Sequence, residues 1–190
     1  MNEELFKLLM DNLSSAGIYV DDSFAAANTY AGYVRPYKEG KLNVTIAKGI
    51  SISWHSHYLI SVNRNEDLET RFATICHELG HLFCHHLTFF GKDKRELSHR
   101  EKEFEAETVS WLVCKRAGID SPSERYLVDY TKEGELPFYS IDQILTAVTE
   151  IENLLHGKIP VSKSLLYKHD KEFKARVDKS KAPKQLKLNL

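Results

Sequence analysis

This 190-residue chain lacks three things: an apolar run long enough for a bilayer, a basic leader, and enough cysteine for a disulfide framework. A spanning helix needs roughly 20 apolar residues, and no stretch of the sequence approaches that. The opening MNEELFKLLMDNL is acidic and amphipathic, without the basic start and apolar run of an export signal. Cys76, Cys84 and Cys114 are odd in number and sit among apolar residues in helical patterns, which predicts buried, reduced thiols in a cytoplasmic protein. A strong net charge is also missing. At −1 the molecule is not a general binder of polyanions. Apolar residues make up 42% and charged ones 28%, an ordinary globular balance, and the length suits one domain with a proper core.

The charge that is present is unevenly spread. Residues 161–190 carry nine basic and three acidic side chains, a net of +6, so residues 1–160 carry −7. This predicts an acidic folded domain over 1–160 and a basic, flexible tail over 161–190. Within the domain, Leu5, Leu8, Leu9 and Leu13 mark a first helix closed by Gly17. From 18 to 64 the pattern turns extended. Leu42, Val44 and Ile46 alternate with polar residues, and Leu59, Ile60 and Val62 form another short run. The rest reads as helices over 66–87, 96–117, about 121–132 and 140 to near Gly157, the last two opened by Ser121 and Ser140 as caps. The fold class is therefore α+β, a small, mostly antiparallel sheet packed on a helical bundle.

Residues 77–81 read HELGH, an H-E-x-x-H motif. On a helix His77 and His81 are one turn apart on one side, so both imidazoles can reach one zinc ion. The apolar stripe of Leu68, Phe72, Ile75, Leu79 and Leu82 points elsewhere, residue 77 lying about 140° round from residue 72. Chance alone yields such a motif in roughly 4% of chains of this composition, so context has to decide. A catalytic zinc site takes three protein ligands and keeps one position open. The second long helix offers E-F-E-A-E, in which Glu103 and Glu107 share a face while Glu105 points about 200° away. Glu103 is the expected third ligand, Glu107 the acceptor that orients a zinc-bound histidine, and Ala106 the small residue that lets the two helices approach. His77, His81 and His85 cannot all serve one ion, because eight residues rise about 12 Å along an intact helix. His85 is read as pocket wall or surface, Cys84 as core, and His55 and His57 as an exposed strand face.

Together these segments, an extended run ending in Asn63, RFATICHELGHLFCHHL and EFEAETVSWLVCKRAGI, resemble the ImmA/IrrE family of zincin metallopeptidases. The E-x-x-A-E element is also similar to the metallopeptidase domain of ArdC-type antirestriction proteins. The resemblance covers roughly residues 50–130. It implies a zincin-like fold, one zinc ion per chain and cleavage of a DNA-binding regulator, such as a helix-turn-helix repressor of a mobile element or stress response. Family members usually carry Asn or Asp where Glu107 stands here.

The chemistry expected of such a site is peptide hydrolysis with Glu78 as the base that takes a water proton and passes it to the leaving amine. A substrate strand is expected to pair with a sheet edge at residues 58–62, and Tyr126 and Tyr130 are candidates for steadying the transition state. No sequence-specific nucleic-acid binding and no membrane partner are expected. Finally, QLKLNL, with Gln185, Leu186, Leu188 and Leu190, resembles the peptide by which bacterial proteins dock on the DNA sliding clamp. It keeps open an alternative in which the chain is a non-proteolytic, zinc-containing module that docks to a partner.

Overall fold

The structure, a computed structural model, describes residues 3–23, 25, 31–121, 123–132 and 134–181. The chain runs α1 (Glu3–Ser15), β1 (Ile18–Asp21), β2 (Gly32–Pro36), β3 (Lys41–Ala47), β4 (Ile50–His55), β5 (Tyr58–Val62), α2 (Leu68–Phe83), α3 (His99–Arg116), α4 (Ser123–Lys132) and α5 (Ile141–Leu155), then a 3-10 turn (Val161–Lys163), α6 (Leu165–His169) and α7 (Lys171–Lys181). It is α+β, with a small, mostly antiparallel set of strands and seven α-helices among the described residues. None of those helices is long and apolar enough to cross a membrane.

The strands form two sheets. β5 lies between β1, which it pairs in parallel, and β2, which it pairs antiparallel. β3 and β4 make a separate antiparallel hairpin. The expected edge at residues 58–62 is thus a central strand, and all five of its residues are buried. A strand covered on both faces reads as a continuous apolar run and not as an alternation, which is why Leu59, Ile60 and Val62 carry no mark of their position in the sheet. The edge strands of this sheet are β1 and β2.

The main core gathers Leu9 and Leu13 of α1, Ile60 and Val62 of β5, Phe72, Ile75, Leu79 and Leu82 of α2, Val109 and Val113 of α3, and Ile144, Val148 and Ile151 of α5. Of the stripe expected on α2, Phe72, Ile75, Leu79 and Leu82 pack inward while Leu68 is half-buried, leaving the other side of the helix for polar work. Asn12, itself buried, donates to the carbonyls of Leu154 and Gly157 and accepts from the Ile159 amide, so the chain leaving α5 is tied to α1.

A second core was not foreseen. Leu42, Val44 and Ile46 alternate inward from β3 as expected, and they meet Val161, Leu166, Phe173 and Val177. Residues 161–181, expected within a flexible tail, are instead folded through 181, because this sparse apolar set on a Lys-rich background closes over the hairpin. Gln185, Leu186, Leu188 and Leu190, the expected clamp-docking peptide, lie outside the described residues.

Candidate metal centre

Two helices build the site. α2 begins at Asp67, whose carboxylate accepts the Thr70 amide. α3 begins at Ser98 with a reciprocal capping box to Glu101. The helices cross where Gly80, within the HELGH motif, meets Ala106, within EFEAE. A Cβ on Gly80 would lie 3.0 Å from the Ala106 Cα, so two small residues set the closeness of the crossing. That closeness carries the Glu103 carboxylate to the histidines of α2.

The three expected ligands converge. His77 Nε2 and His81 Nε2 are 3.2 Å apart, and the two Glu103 oxygens lie 3.4 Å from them, Oε2 beside His77 and Oε1 beside His81. Tetrahedral zinc with bonds of about 2.0–2.1 Å sets its ligands about 3.3 Å apart, so the spacing fits the ion.

Hydrogen-bond logic fixes which atoms face inward. Glu107 Oε2 is 2.8 Å from His77 Nδ1, so Nδ1–H donates outward and Nε2 keeps its lone pair. Behind His81 runs a longer chain. Glu105 is fully buried and accepts two bonds from Arg95, one from His86 Nε2–H at 2.8 Å and one from the Ser140 amide. Burial opposes the charge on Glu105, but its hydrogen bonds to His86 and Arg95 win, holding its pKa down at about 2. A carboxylate so held only accepts, so His86 presents the lone pair of Nδ1 to His81 Nδ1–H, 2.8 Å away. Both imidazoles are thereby set with Nε2 lone pairs aimed, with the Glu103 oxygens, at one point. Such an arrangement calls for a cation.

Among protein groups alone that cation is a proton. Burial works against charge on His77, yet its contacts with Glu103 and Glu107 raise its pKa to about 10. His81 is pushed down to about 3 by burial and by the charge of His77. A metal ion held at the same point would have to displace that proton.

Glu78 stands beside the ligands on α2, nearly buried, with the Val34 backbone amide of β2 next to its carboxylate. Burial raises it to about 7, His77 pulling it down and Glu103 pushing it up. The open side of the site faces a cleft of about 1260 Å³, to which β2 contributes Gly32, Tyr33 and Val34 and α4 contributes Tyr126 and Tyr130. Gly32 lets the strand sit close, since a Cβ there would meet the Ser61 carbonyl oxygen at 2.5 Å and Thr74 Cγ2 at 2.7 Å. Tyr126 is exposed, whereas the Tyr130 ring packs on Phe104.

Several expectations change. α2 stops at Phe83, and His85 has φ 58, a left-handed backbone that reverses the chain. His85 therefore neither continues a histidine stripe nor lines the cleft, while the same reversal swings His86 behind His81. His86, Glu105 and Arg95 were missed. The available signal was a carboxylate between Phe104 and Ala106 on the inner side of α3, which could not stay buried without a cationic partner. His55 and His57 do not form a plain exposed face either: both approach Asp170. Cys84 is core, as read, and all three thiols are free and buried.

The sequence model of the Peptidase_M78 family, described as the IrrE N-terminal-like domain, matches residues 35–130, just over half of the chain. No curated protein and no solved structure matches it.

Proposed function

The chain belongs to the Peptidase_M78 family of IrrE N-terminal-like domains, and from that premise we propose that it is a zincin-type, zinc-dependent endopeptidase centred on His77, Glu78, His81 and Glu103. One observation carries the reading. The three ligand groups meet at tetrahedral spacing, and each imidazole has its other nitrogen already engaged, His77 by Glu107 and His81 by His86.

His77, His81 and Glu103 would hold the zinc. When bound, the ion supplies Lewis acidity toward a scissile carbonyl and lowers the pKa of water toward about 7. Glu78, buried beside the two histidines, is placed to take a proton from water and pass it to the leaving amine. Glu107 and the Glu105–His86 pair act by holding the two histidines in orientation and tautomer. β2 serves as the docking edge, replacing residues 58–62. An extended segment pairing along it lies beside Glu78, with Val34 as the nearest backbone partner.

The size of the cleft favours a polypeptide over a small metabolite, whose sites run about 300–1,000 Å³. A protein substrate follows from the peptidase family. A DNA-binding regulator such as a helix-turn-helix repressor is the class that the resemblance favours, with the cytoplasm as the place of action.

The test pairs zinc content with proteolysis. Glu78→Gln is expected to keep its zinc and lose cleavage of a repressor substrate by about 10²–10⁴-fold, while Glu103→Ala loses the zinc of this centre. Undiminished cleavage by Glu78→Gln would refute the mechanism.

A further inference from the structure

Asp170 joins α6 to α7, and only 9% of its side chain is exposed. Its Oδ1 accepts the Phe173 amide and caps α7. Its Oδ2 accepts the Trp54 indole N–H at 3.0 Å. The same Oδ2 has His57 Nε2 at 3.0 Å and His55 Nε2 at 3.8 Å. The two imidazoles come from positions two apart at the end of β4 and just beyond it, so they emerge on one side of an extended backbone. Their ring centroids are 5.0 Å apart, and the three ligand atoms lie within 4.8 Å of one another.

Hydrogen bonding alone accounts poorly for this convergence. A carboxylate oxygen has two lone pairs, and Trp54 takes one. Both imidazoles are aimed at the other. If His57 donates there, His55 at 3.8 Å is beyond hydrogen-bonding reach. A cation between the three groups engages each of them and leaves the second lone pair of Oδ2 to the indole. The distances of 3.0 and 3.8 Å from Oδ2 bracket the ligand spacing of about 3.3 Å that tetrahedral zinc requires.

We propose that His55 Nε2, His57 Nε2 and Asp170 Oδ2 form a second zinc site, outside the cleft, that ties β4 to the α6–α7 junction. Two imidazoles and one carboxylate suit zinc better than the oxygen-seeking calcium or magnesium. His55 is 41% exposed, so the remaining coordination position opens to solvent. The Trp54 indole orients the carboxylate as an outer partner does at built metal sites. The site joins residues 113 apart and secures helices beyond the matched residues 35–130 to the hairpin. A third cluster, Cys84, His86 and Glu105, is not a competitor, because Arg95 already neutralises Glu105.

The experiment measures zinc per chain on the full-length protein after loading with zinc chloride and desalting. The parent is expected to hold two. A His77→Ala/His81→Ala version keeps one, and adding His55→Gln and His57→Gln removes it. Cobalt titrated into the His77→Ala/His81→Ala protein, in a Trp111→Phe background, quenches Trp54 emission. Asp170→Asn, which retains an acceptor for the Phe173 amide, weakens that quenching at least tenfold with the far-UV circular dichroism unchanged. If the His77/His81 version fails to fold, His55→Gln/His57→Gln in the parent still discriminates: a fall from two zinc to one supports the site. A folded His77→Ala/His81→Ala protein without zinc or quenching overturns it and leaves a His57–Asp170–Trp54 hydrogen-bond cluster. A single zinc lost with His55 and His57 but kept without His77 and His81 would uphold this site and refute the H-E-x-x-H centre.

Discussion

Replacing Glu105 by Gln keeps its shape and removes its charge. The carboxylate has no exposed surface and accepts four bonds, two from Arg95 and one each from His86 and the Ser140 amide. Its loss leaves the Arg95 charge without its partner and turns an acceptor into a half-donor facing a buried imidazole. Breaking a buried pair on one side costs about 3–5 kcal/mol. The pKa gives a second route to the same figure: a fall from 4.5 to about 2 corresponds to roughly 3 kcal/mol of folded-state preference for the charged form. For a domain of this size each kcal/mol moves the melting temperature by about 2–4 °C, so the variant should melt about 10 °C lower at pH 7. The sign of the pH dependence follows. A carboxyl with a depressed folded pKa contributes fully above about pH 4.5, and the contribution fades as pH falls toward about 2. The gap between parent and variant, read by circular dichroism melts, should therefore be widest at neutral pH and narrow in acid. A gap below about 2 °C at pH 7, or one that does not change between about pH 3 and pH 7, would refute the assignment of Glu105 as the buried anchor.

Other outcomes test the rest of the frame. Gly80→Val drives a side chain into the Ala106 backbone at 3.0 Å, and urea denaturation should show a loss of about 1–3 kcal/mol; an unchanged midpoint would mean the crossing is looser than described. Phe173→Ala empties the centre of the second core and should cost about 3–5 kcal/mol, with residues 161–181 becoming open to limited proteolysis. Cys76, Cys84 and Cys114 are buried, and burial raises the pKa of Cys84 to about 12, so native protein should resist a thiol reagent that labels all three in denaturant.

What could be read from the sequence was whatever repeats with a local period. The inward stripe of α2, the alternation along β3 and the Ser140 cap on Gln143 are of that kind, and all three are present. Placement in space was less legible. Nothing in Leu59, Ile60 and Val62 distinguishes a central strand from an edge, and that depends on where β1 and β2 arrive. Leu166, Phe173 and Val177 look sparse in a Lys-rich run, because their number suffices only when β3 supplies the opposing face. A helix end was misplaced for a similar reason. His85 adopts a left-handed backbone where a glycine would usually mark the stop, so no glycine announces the helix end.

The three carboxylates of EFEAE illustrate how periodicity and tertiary placement combine. At about 100° per residue, Glu103 and Glu107 fall within about 40° of each other and Glu105 about 200° from Glu103. Two of them therefore face α2 at the cleft, Glu103 between the two histidines and Glu107 behind His77, while the third is turned into the protein interior. An isolated α2–α3 pair would make Glu105 a liability, a charge buried to no purpose. The chain reversal at His85 changes that, because it inserts His86 between Glu105 and His81 and gives the buried charge a route to the front of the helix. Each of the two histidines then rests on a carboxylate of α3, directly for His77 and through one imidazole for His81. The orientation of both imidazoles is thus fixed by α3, so any shift of α3 against α2 must disturb the Glu103 carboxylate and both tautomers together.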